Sequence, residues 1–393
     1  MEEQLLVRQE SPSGLSPELV ETIDTPALVY DERTLHYLVA CALVARKRAG
    51  CKLLYAVKAA AFSDILGFLN PRIDGFAVSS LFEARLVRSL FPKAEIHFTA
   101  PGIRPDEISE LSELCQFVSL NSRSQAERFG VKFGRDSSIG VRINTRVSSV
   151  ADPRYDPCRP GSKLGIPIED LADVLAESPV EVEGLHFHTN ADSADLGELL
   201  TNVEALVRSV PDSRGLRWVN LGGGYLFEDA PLEPLIRAAD LIRSRLGAEV
   251  IVEPGASLVR SAGFLVTTVL DAFDVDGSRV IVLDASVNHM PEVFEFGYRP
   301  DVVGQVEDGP YEYILAGGTC LSGDIWGKYR FAEPLKIGSV VVLEEAGAYS
   351  HSKAHRFNGV NLPEIGLVTA DGHYTARKVY SYLDFTSYWM TNV

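Results

Sequence analysis

Basic residues are scarce in this sequence relative to acidic ones. Its 393 residues include 37 Lys and Arg against 54 Asp and Glu, which gives a formal net charge of −17. Nucleic-acid binding needs a basic surface that neutralises phosphates. The charge balance therefore argues against a nucleic-acid partner, and it favours cationic small molecules wherever acidic groups line a pocket.

Cysteines are few, and no pair of them has the spacing of a known motif. An odd, scattered set without any CxxC pair argues against a disulfide scaffold and against a zinc site. It favours a reducing, cytoplasmic compartment. The five are Cys41, Cys51, Cys115, Cys158 and Cys320.

Long apolar runs are also lacking. No segment approaches the roughly 20 apolar residues that cross a bilayer. The N-terminal Met1-Glu2-Glu3-Gln4 is acidic and does not lead into an apolar core, as a signal peptide would. We therefore expect no membrane association and no signal peptide. Internal repeats beyond a βα unit and low-complexity tracts are absent as well.

Short apolar segments alternate with amphipathic stretches from residue 53 to residue 253. Strands that alternate with helices are typical of βαβ units and a parallel sheet, and eight of them match a (β/α)8 TIM barrel. An open doubly wound sheet is the alternative, but its usual glycine fingerprint after the first strand is missing. The eight segments are 53–58, 75–79, 95–100, 117–121, 138–144, 183–189, 218–224 and 249–253.

The pattern changes after residue 253. Segments rich in β-branched and aromatic residues follow, separated by turn signals such as Asp276-Gly277. We predict an α/β protein with a barrel at 32–262 and a mainly β domain formed by 1–31 and 263–393, in which an early strand at 27–30 could pair. The later segments are 264–273, 279–285, 311–316, 339–344 and 365–369.

Lys58 stands at the end of the first apolar segment, in the stretch LLYAVKAAA. A parallel strand buried on both faces reads as a continuous apolar run, and its carboxyl end would lie at the barrel face where active sites are found. Partial desolvation would lower the pKa of this amine and make it a nucleophile or Schiff-base former. The alternative is a lysine that merely extends from a buried strand to solvent.

Three further strand ends carry suitable groups. Gly222–Gly224 would let backbone N–H groups approach a phosphate, or would form only a tight turn. Glu253 would hold a pyridinium nitrogen, or would be a surface residue before a turn. His188 offers a ring for stacking, whereas His186 alone fits a core histidine, and no third ligand at metal spacing follows. With Lys58, these groups suit a pyridoxal phosphate Schiff base.

The order of the motifs resembles the alanine-racemase-like, or ornithine-decarboxylase-like, group of pyridoxal phosphate enzymes. Within that group the chain is most similar to the carboxynorspermidine/carboxyspermidine decarboxylases, from about residue 25 to residue 385. The motifs are YAVKA (55–59), SSLFEARL (79–86), YDPCRPGSKLGI (155–166), GLHFHT (184–189), NLGGG (220–224), EPG (253–255), LDAS (283–286), HMPE (289–292), YRP (298–300), GGTCLSGD (317–324) and GAYS with FNG (347–359).

The resemblance implies a pyridoxal 5'-phosphate-dependent decarboxylase that acts on an L-amino acid or a carboxyamine. Lys58 would hold the cofactor covalently, His188 would stack on its ring, and Glu253 would face the pyridine nitrogen. The phosphate would be held by Gly222, Gly223, Gly224 and Tyr349.

The resemblance also implies that Cys320 protonates the substrate carbon after carbon dioxide leaves. A thiol near a cationic lysine is a competent proton donor, while the alternative for Cys320 is a small buried apolar residue. Asp324 would lie near the substrate amine, with Glu292 and Asp284 also on the substrate side. In this group the active site forms between two subunits, and the loop of Cys320 reaches the partner's barrel, so a homodimer is implied.

The chain departs from the family pattern at two places. The family reads EPGEA where this chain has Ala256-Ser257, and it reads HTLCE where residues 188–192 here read HTNAD, without the Cys and the Glu. A buried ammonium without its carboxylate is disfavoured. We therefore expect conserved chemistry on a shifted substrate, either a less cationic amino acid or a conjugate. A racemase, an oxidative decarboxylase or a non-catalytic cofactor-binding protein are the alternatives.

Overall fold

The computed structural model describes residues 14–133, 137–148, 150, 152–211 and 215–391. These residues fall into two compact units, one of 38–258 and the other of 14–37 together with 259–391. The part of the predicted lead-in before residue 14 lies outside the described residues. In the described part of the chain, no helix is both long and apolar enough to cross a membrane.

The first unit contains a closed parallel barrel. Phe117–Leu120 pairs with Ser138–Asn144 and thereby joins the two ends of the strand order, so the predicted TIM barrel is confirmed. Its strands are Lys52–Ala56, Gly75–Val78, Glu95–Ala100, Phe117–Leu120, Ser138–Asn144, Gly184–His186, Trp218–Asn220 and Glu249–Val252. A short additional strand, Ile166–Pro167, pairs with the end of Ser138–Asn144 and was not predicted.

Helices separate the barrel strands, as the amphipathic stretches predicted. Their ends follow ordinary capping rules: the Ser80 hydroxyl accepts the N–H of Glu83 at 3.2 Å, and Gly247 ends another helix in a left-handed conformation. The helices up to residue 246, apart from the short one at Pro17–Val20, are Glu32–Ala49, Ser63–Leu69, Leu81–Leu90, Ile108–Leu114, Arg123–Phe133, Leu171–Glu177, Gly197–Ser209 and Glu233–Leu246.

The Trp218 ring fills the interior near the amino-terminal ends of the strands. It is 1% exposed, and its Nε1 donates to the Ser138 hydroxyl at 2.9 Å. A Cβ at Gly140 or at Gly184 would overlap the indole ring. Two strands therefore carry glycine here because the large ring takes the space that side chains would need.

The second unit is built on a sheet of eight strands, which confirms the predicted mainly β domain. Ala27–Asp31 is buried throughout and lies between Gly263–Val275, antiparallel, and Glu364–Val368, parallel. The other strands are Ser278–Leu283, Tyr311–Ala316, Ile325–Phe331, Val340–Leu343 and Tyr374–Lys378, and the helices are Pro17–Val20, Pro291–Phe296, Ser350–Lys353 and Tyr382–Trp389.

Two strands of this unit were missed in the sequence, Ile325–Phe331 and Tyr374–Lys378. Both carry several charged or exposed side chains, because each presents much of its length to solvent. An apolar-run criterion does not detect such strands.

Candidate active site

Lys58 lies just beyond the strand Lys52–Ala56, in the 3-10 turn Val57–Ala59. Its side chain is open to solvent, whereas protein atoms surround the amine on most sides. This burial, and next the guanidinium of Arg142, lower the pKa of the Lys58 amine. A lowered pKa enlarges the neutral fraction near pH 7, and the neutral amine is the form that attacks a carbonyl carbon.

Three carboxylates oppose this effect and raise the pKa of Lys58, namely those of Glu253, Asp192 and Glu83. Glu83 accepts the backbone N–H of Ser79 at 2.7 Å, and burial raises the pKa of its own carboxyl group. The amine therefore lies among acidic groups contributed by three separate parts of the barrel.

The glycine loop Gly222–Gly224 follows the strand Trp218–Asn220. Gly222 and Gly224 have φ of 68° and 86°, the left-handed region that favours glycine. A Cβ at Gly223 would overlap the carbonyl oxygen of Glu253. The loop thus has no room for side chains at the end of the barrel, and the N–H of Gly222 donates to Oδ1 of Asn220 at 2.9 Å.

His188 is anchored to this loop. Its Nδ1 accepts the N–H of Gly223 at 3.0 Å. Burial, and next Lys58 and Arg142, hold the pKa of the imidazole well below its ordinary value. The ring is therefore neutral at pH 7, with its proton on Nε2 while Nδ1 serves as acceptor.

We expect Gly223→Ala to weaken phosphate binding and to destabilise the fold. The new Cβ must displace backbone rather than a flexible side chain, which costs about 1–3 kcal/mol of unfolding free energy. Chemical denaturation and cofactor titration measure the two effects. Gly102→Ala is the matched control, because a Cβ there meets nothing within 4 Å; equal behaviour of the two variants would contradict the prediction.

Glu253 is 8% exposed and is held at the end of its strand. The side-chain amide of Asn220 donates to its Oε1 at 2.5 Å, and its Oε2 lies 3.9 Å from Nε2 of His186. His186 is 2% exposed, and neither of its ring nitrogens has a hydrogen-bond partner among the described residues. A fixed carboxylate beside unsatisfied polar atoms is suited to a polar, cationic ring edge.

Arg142 belongs to the same cluster and was missed in the sequence. It pairs in register with His186 on the neighbouring strand and is 9% exposed. Burial lowers the pKa of Arg142 to about 10, although Glu253 opposes the shift. A single arginine inside the apolar run IGVRIN, on a strand buried on both faces, was the signal available.

The departures from the family pattern have different structural consequences. Ala256 and Ser257 are both 2% exposed, and the Ser257 hydroxyl accepts the N–H of Phe227 at 3.0 Å. Neither residue is itself a carboxylate, but the Ser257 hydroxyl also donates to Oε2 of Glu228 at 3.3 Å, so a carboxylate from another segment lies beside this position. At 190–192, however, Asp192 keeps a carboxylate within electrostatic range of Lys58. This departure therefore removes less charge than the sequence comparison suggested.

Cys320 lies in the second unit, in the loop between the strands Tyr311–Ala316 and Ile325–Phe331. It is exposed, so the alternative of a buried apolar cysteine is wrong, whereas the other four cysteines are buried. Its N–H donates to Oδ1 of Asn358 at 2.8 Å. Tyr349 also belongs to this unit and has left-handed backbone, with φ of 60°.

The three predicted substrate-side carboxylates already have partners within the second unit. Asp284 accepts the N–H of Thr268 at 3.0 Å. Glu292 is 2.9 Å from the amine of Lys353. Asp324 accepts three hydrogen bonds, described below. Contact of any of them with a substrate stays a prediction.

The predicted site residues are thus divided between the two units. The barrel unit brings together Lys58, His188, Gly222, Gly223, Gly224 and Glu253, and the second unit holds Cys320, Asp324, Glu292, Asp284 and Tyr349.

A family profile described as "Pyridoxal-dependent decarboxylase, C-terminal sheet domain" matches residues 27–347. The chain belongs to this decarboxylase family. The match covers most of both units, which confirms the predicted family, its pyridoxal phosphate cofactor and the decarboxylase reaction. It also favours decarboxylation over the racemase and non-catalytic alternatives.

Named members of the pyridoxal-dependent decarboxylases resemble the chain over nearly its whole length. A carboxynorspermidine/carboxyspermidine decarboxylase of Campylobacter jejuni is 30% identical, over 93% of this chain and 98% of its own. A carboxyaminopropylagmatine decarboxylase of Synechocystis sp. is 30% identical, over 93% and 95%. The crystal structure of carboxynorspermidine decarboxylase complexed with norspermidine, from Campylobacter jejuni, has a TM-score of 0.83 at 28% identity, over 93% of this chain and 100% of the other.

The barrel residues fit the cofactor of this decarboxylase family. Glycine stands where a Cβ would overlap neighbouring backbone, and Lys58 has a lowered pKa. Beside Glu253, both ring nitrogens of His186 are buried and have no hydrogen-bond partner in the part of the chain that the structure describes. The glycine loop suits the phosphate, the Lys58 amine suits the aldehyde, and Glu253 with His186 suits the ring nitrogen.

Proposed function

We propose that Lys58, His188, Gly222–Gly224 and Glu253 hold pyridoxal phosphate and that Cys320 donates the proton that completes decarboxylation. The convergence of these barrel groups around one amine of lowered pKa supports the first part. The exposed thiol of Cys320, on a loop fixed by hydrogen bonds, supports the second.

Each residue has one task in this proposal. Lys58 would hold the cofactor through its aldehyde, Glu253 would stabilise positive charge on the ring nitrogen, and His188 would contact the ring. The glycine backbone and the Tyr349 hydroxyl hold the phosphate. When bound, pyridoxal phosphate accepts the electron pair left on the substrate carbon as carbon dioxide leaves. Cys320 then delivers a proton from its Sγ to that carbon.

The lowered pKa of Lys58 predicts the pH dependence of cofactor capture by the apoenzyme. Only the neutral amine reacts, so the rate should rise with pH and level off above a midpoint lower than the roughly 10.4 of free lysine. Stopped-flow absorbance measures this midpoint. Because Asp192 raises the pKa of Lys58, Asp192→Asn should move the midpoint to still lower pH. A midpoint at the value of free lysine would contradict the prediction.

We further propose that the substrate is an L-amino acid or carboxyamine whose remote end carries less positive charge than carboxynorspermidine. The buried Ala256 offers no carboxylate, and the hydroxyl of Ser257 is bonded both to the N–H of Phe227 and to the carboxylate of Glu228. Asp192 keeps one carboxylate within electrostatic range of Lys58. Loss of a single carboxylate partner disfavours a buried ammonium strongly, by about 3–5 kcal/mol.

Carbon dioxide release from a panel of substrates tests this proposal. The panel contains carboxynorspermidine, carboxyspermidine, carboxyaminopropylagmatine, diaminopimelate, ornithine and neutral L-amino acids. We expect the highest kcat/KM for a compound with fewer remote amines than carboxynorspermidine. If carboxynorspermidine or carboxyspermidine is turned over with kcat/KM of about 10⁴ M⁻¹s⁻¹ or more, the substrate shift is wrong and polyamine biosynthesis is the function.

We propose a homodimer with shared active sites. Near the far end of the loop that carries Cys320, Phe294 is 60% exposed and Ile325 is 47% exposed, although both are large apolar side chains. A Cβ at Gly323 would meet the Phe294 ring, which joins this residue to the Cys320 loop. Exposed apolar groups near an exposed cysteine favour coverage of this surface by a second subunit.

Complementation tests the dimer. Lys58→Ala and Cys320→Ala should each be inactive, and mixing them should restore activity, because one shared site then has both native residues. No recovery after subunit exchange, verified by light scattering, would contradict shared sites.

A cytoplasmic location is proposed as well, because Cys320 must stay a reduced thiol to donate a proton.

A further inference from the structure

The loop that carries Cys320 is closed by a buried carboxylate. Asp324 is 3% exposed and stands directly before the strand Ile325–Phe331. Its Oδ2 accepts the N–H of Thr319 at 3.1 Å and the Thr319 hydroxyl at 2.5 Å. Its Oδ1 accepts the N–H of Val287 at 2.8 Å. One side chain therefore joins the residue before Cys320 to a different segment of the sheet unit.

The backbone around Asp324 leaves space for its carboxylate. A Cβ at Gly317 would overlap the carboxylate, so glycine leaves the space in which it sits. The Gly317 N–H donates to the Asp324 carbonyl at 2.8 Å, and the Asp324 N–H donates to the Leu321 carbonyl at 2.9 Å. Asp324 is therefore bonded through its backbone to the start of the loop and to Leu321 just after Cys320, and through its side chain to Thr319 just before it.

Asn358 fixes Cys320 itself from the other direction. Its Oδ1 accepts the Cys320 N–H at 2.8 Å. Asn358 has φ of 56°, a left-handed conformation that asparagine tolerates better than most residues. The left-handed turn at Asn358 therefore places its side chain where it can accept the N–H of Cys320.

We propose that Asp324 and Asn358 are positioning residues for the Cys320 thiol, and that Asp324 acts through this loop rather than by binding the substrate amine. The inference rests on the proposed role of Cys320 as proton donor. The donors to the Asp324 carboxylate, Val287 and Thr319, both belong to the same unit as Asp324. Proton transfer requires donor and carbon within hydrogen-bond reach, so displacement of the loop by about 1 Å costs about 100-fold in rate.

Alkylation of Cys320 in the holoenzyme by iodoacetamide tests the positioning directly. The other four cysteines are buried, and Cys320→Ala gives the background. We expect Asp324→Asn and Asn358→Gly to increase the alkylation rate several-fold and to lower kcat by about 10- to 100-fold, with KM unchanged. Asn358→Asp keeps the acceptor oxygen and should restore both values.

Asp31→Asn is the matched control for loss of a buried carboxylate. Asp31 is fully buried in the same unit and accepts the Thr34 hydroxyl at 2.8 Å; none of its hydrogen bonds among the described residues reaches the Cys320 loop. We expect wild-type alkylation and wild-type kcat for this variant. Asn358 is exposed, so Asn358→Gly decides the question even if Asp324→Asn does not fold.

Two results would overturn the inference. A rise in KM for amine-bearing substrates in Asp324→Asn, with alkylation and kcat unchanged, would make Asp324 a substrate-binding residue. Wild-type alkylation rates in both Asp324→Asn and Asn358→Gly would show that neither residue positions the thiol. If no compound of the panel is decarboxylated, the proposed function fails, and the alkylation rates alone still decide this inference.

Discussion

Replacement of Lys58 by alanine is expected to lower the rate of decarboxylation by about 10³-fold or more, because covalent attachment converts a bimolecular encounter into a unimolecular one. The visible absorbance that pyridoxal phosphate acquires on binding covalently to an amine should disappear as well. Absorbance of the purified protein and carbon dioxide release measure the two effects. The physical reason is the position of this amine, whose pKa is lowered by burial at the end of its strand.

Lys52→Ala provides the control for loss of a lysine from the same strand. Lys52 lies at the opposite end and is ion-paired with Glu95 at 3.3 Å and with Glu249 at 3.1 Å. This variant should keep the cofactor absorbance and most of the activity, since surface pairs contribute about 1 kcal/mol or less. If the two variants retained cofactor equally, Lys58 would not be the attachment site.

The second large effect is expected for Glu253→Gln, which should lower kcat/KM by about 10²- to 10³-fold. The change keeps the shape of the side chain, and the Asn220 amide can still donate to Oε1, a bond of 2.5 Å in the native protein. If Glu253 faces the ring nitrogen as proposed, the variant loses a negative charge opposite a cationic group in a buried site, worth about 3–5 kcal/mol. Steady-state kinetics and the absorbance maximum of the bound cofactor report on this charge.

Glu249→Gln is the matched control for the second prediction. Glu249 begins the strand that Glu253 follows, and its side chain is 46% exposed. We expect activity within a few-fold of the wild type, because an exposed carboxylate contributes little. Similar losses in both variants would indicate a general effect of charge on the barrel and would contradict a specific role of Glu253.

Local sequence patterns were sufficient for the barrel and for the residues at its strand ends. Apolar runs predicted strands because both faces of a barrel strand are buried. The polar residue that ends each run was then expected at the carboxyl-terminal face. Lys58, His188 and Glu253 were found in this way, each one or a few residues beyond the end of a strand in the structure.

Residues defined by contacts between distant segments could not be predicted in the same way. Arg142 lies inside an apolar run, and only its register with His186 on the neighbouring strand places it in the same cluster as the candidate site residues. The bond from Val287 to Asp324 joins residues 37 positions apart. Burial and hydrogen bonding of this kind depend on tertiary structure, which periodicity does not encode.

The strand Ala27–Asp31 has a consequence for biosynthesis. It is made early, but its two neighbours in the sheet, Gly263–Val275 and Glu364–Val368, leave the ribosome only after the whole barrel sequence has been translated. Pairing at such sequence separation is slow, and domains of a nascent chain fold as units. The early strand therefore cannot pair with its two native neighbours while the barrel forms. A fragment that begins at residue 259 would lack the strand Ala27–Asp31, which lies between those neighbours in the sheet.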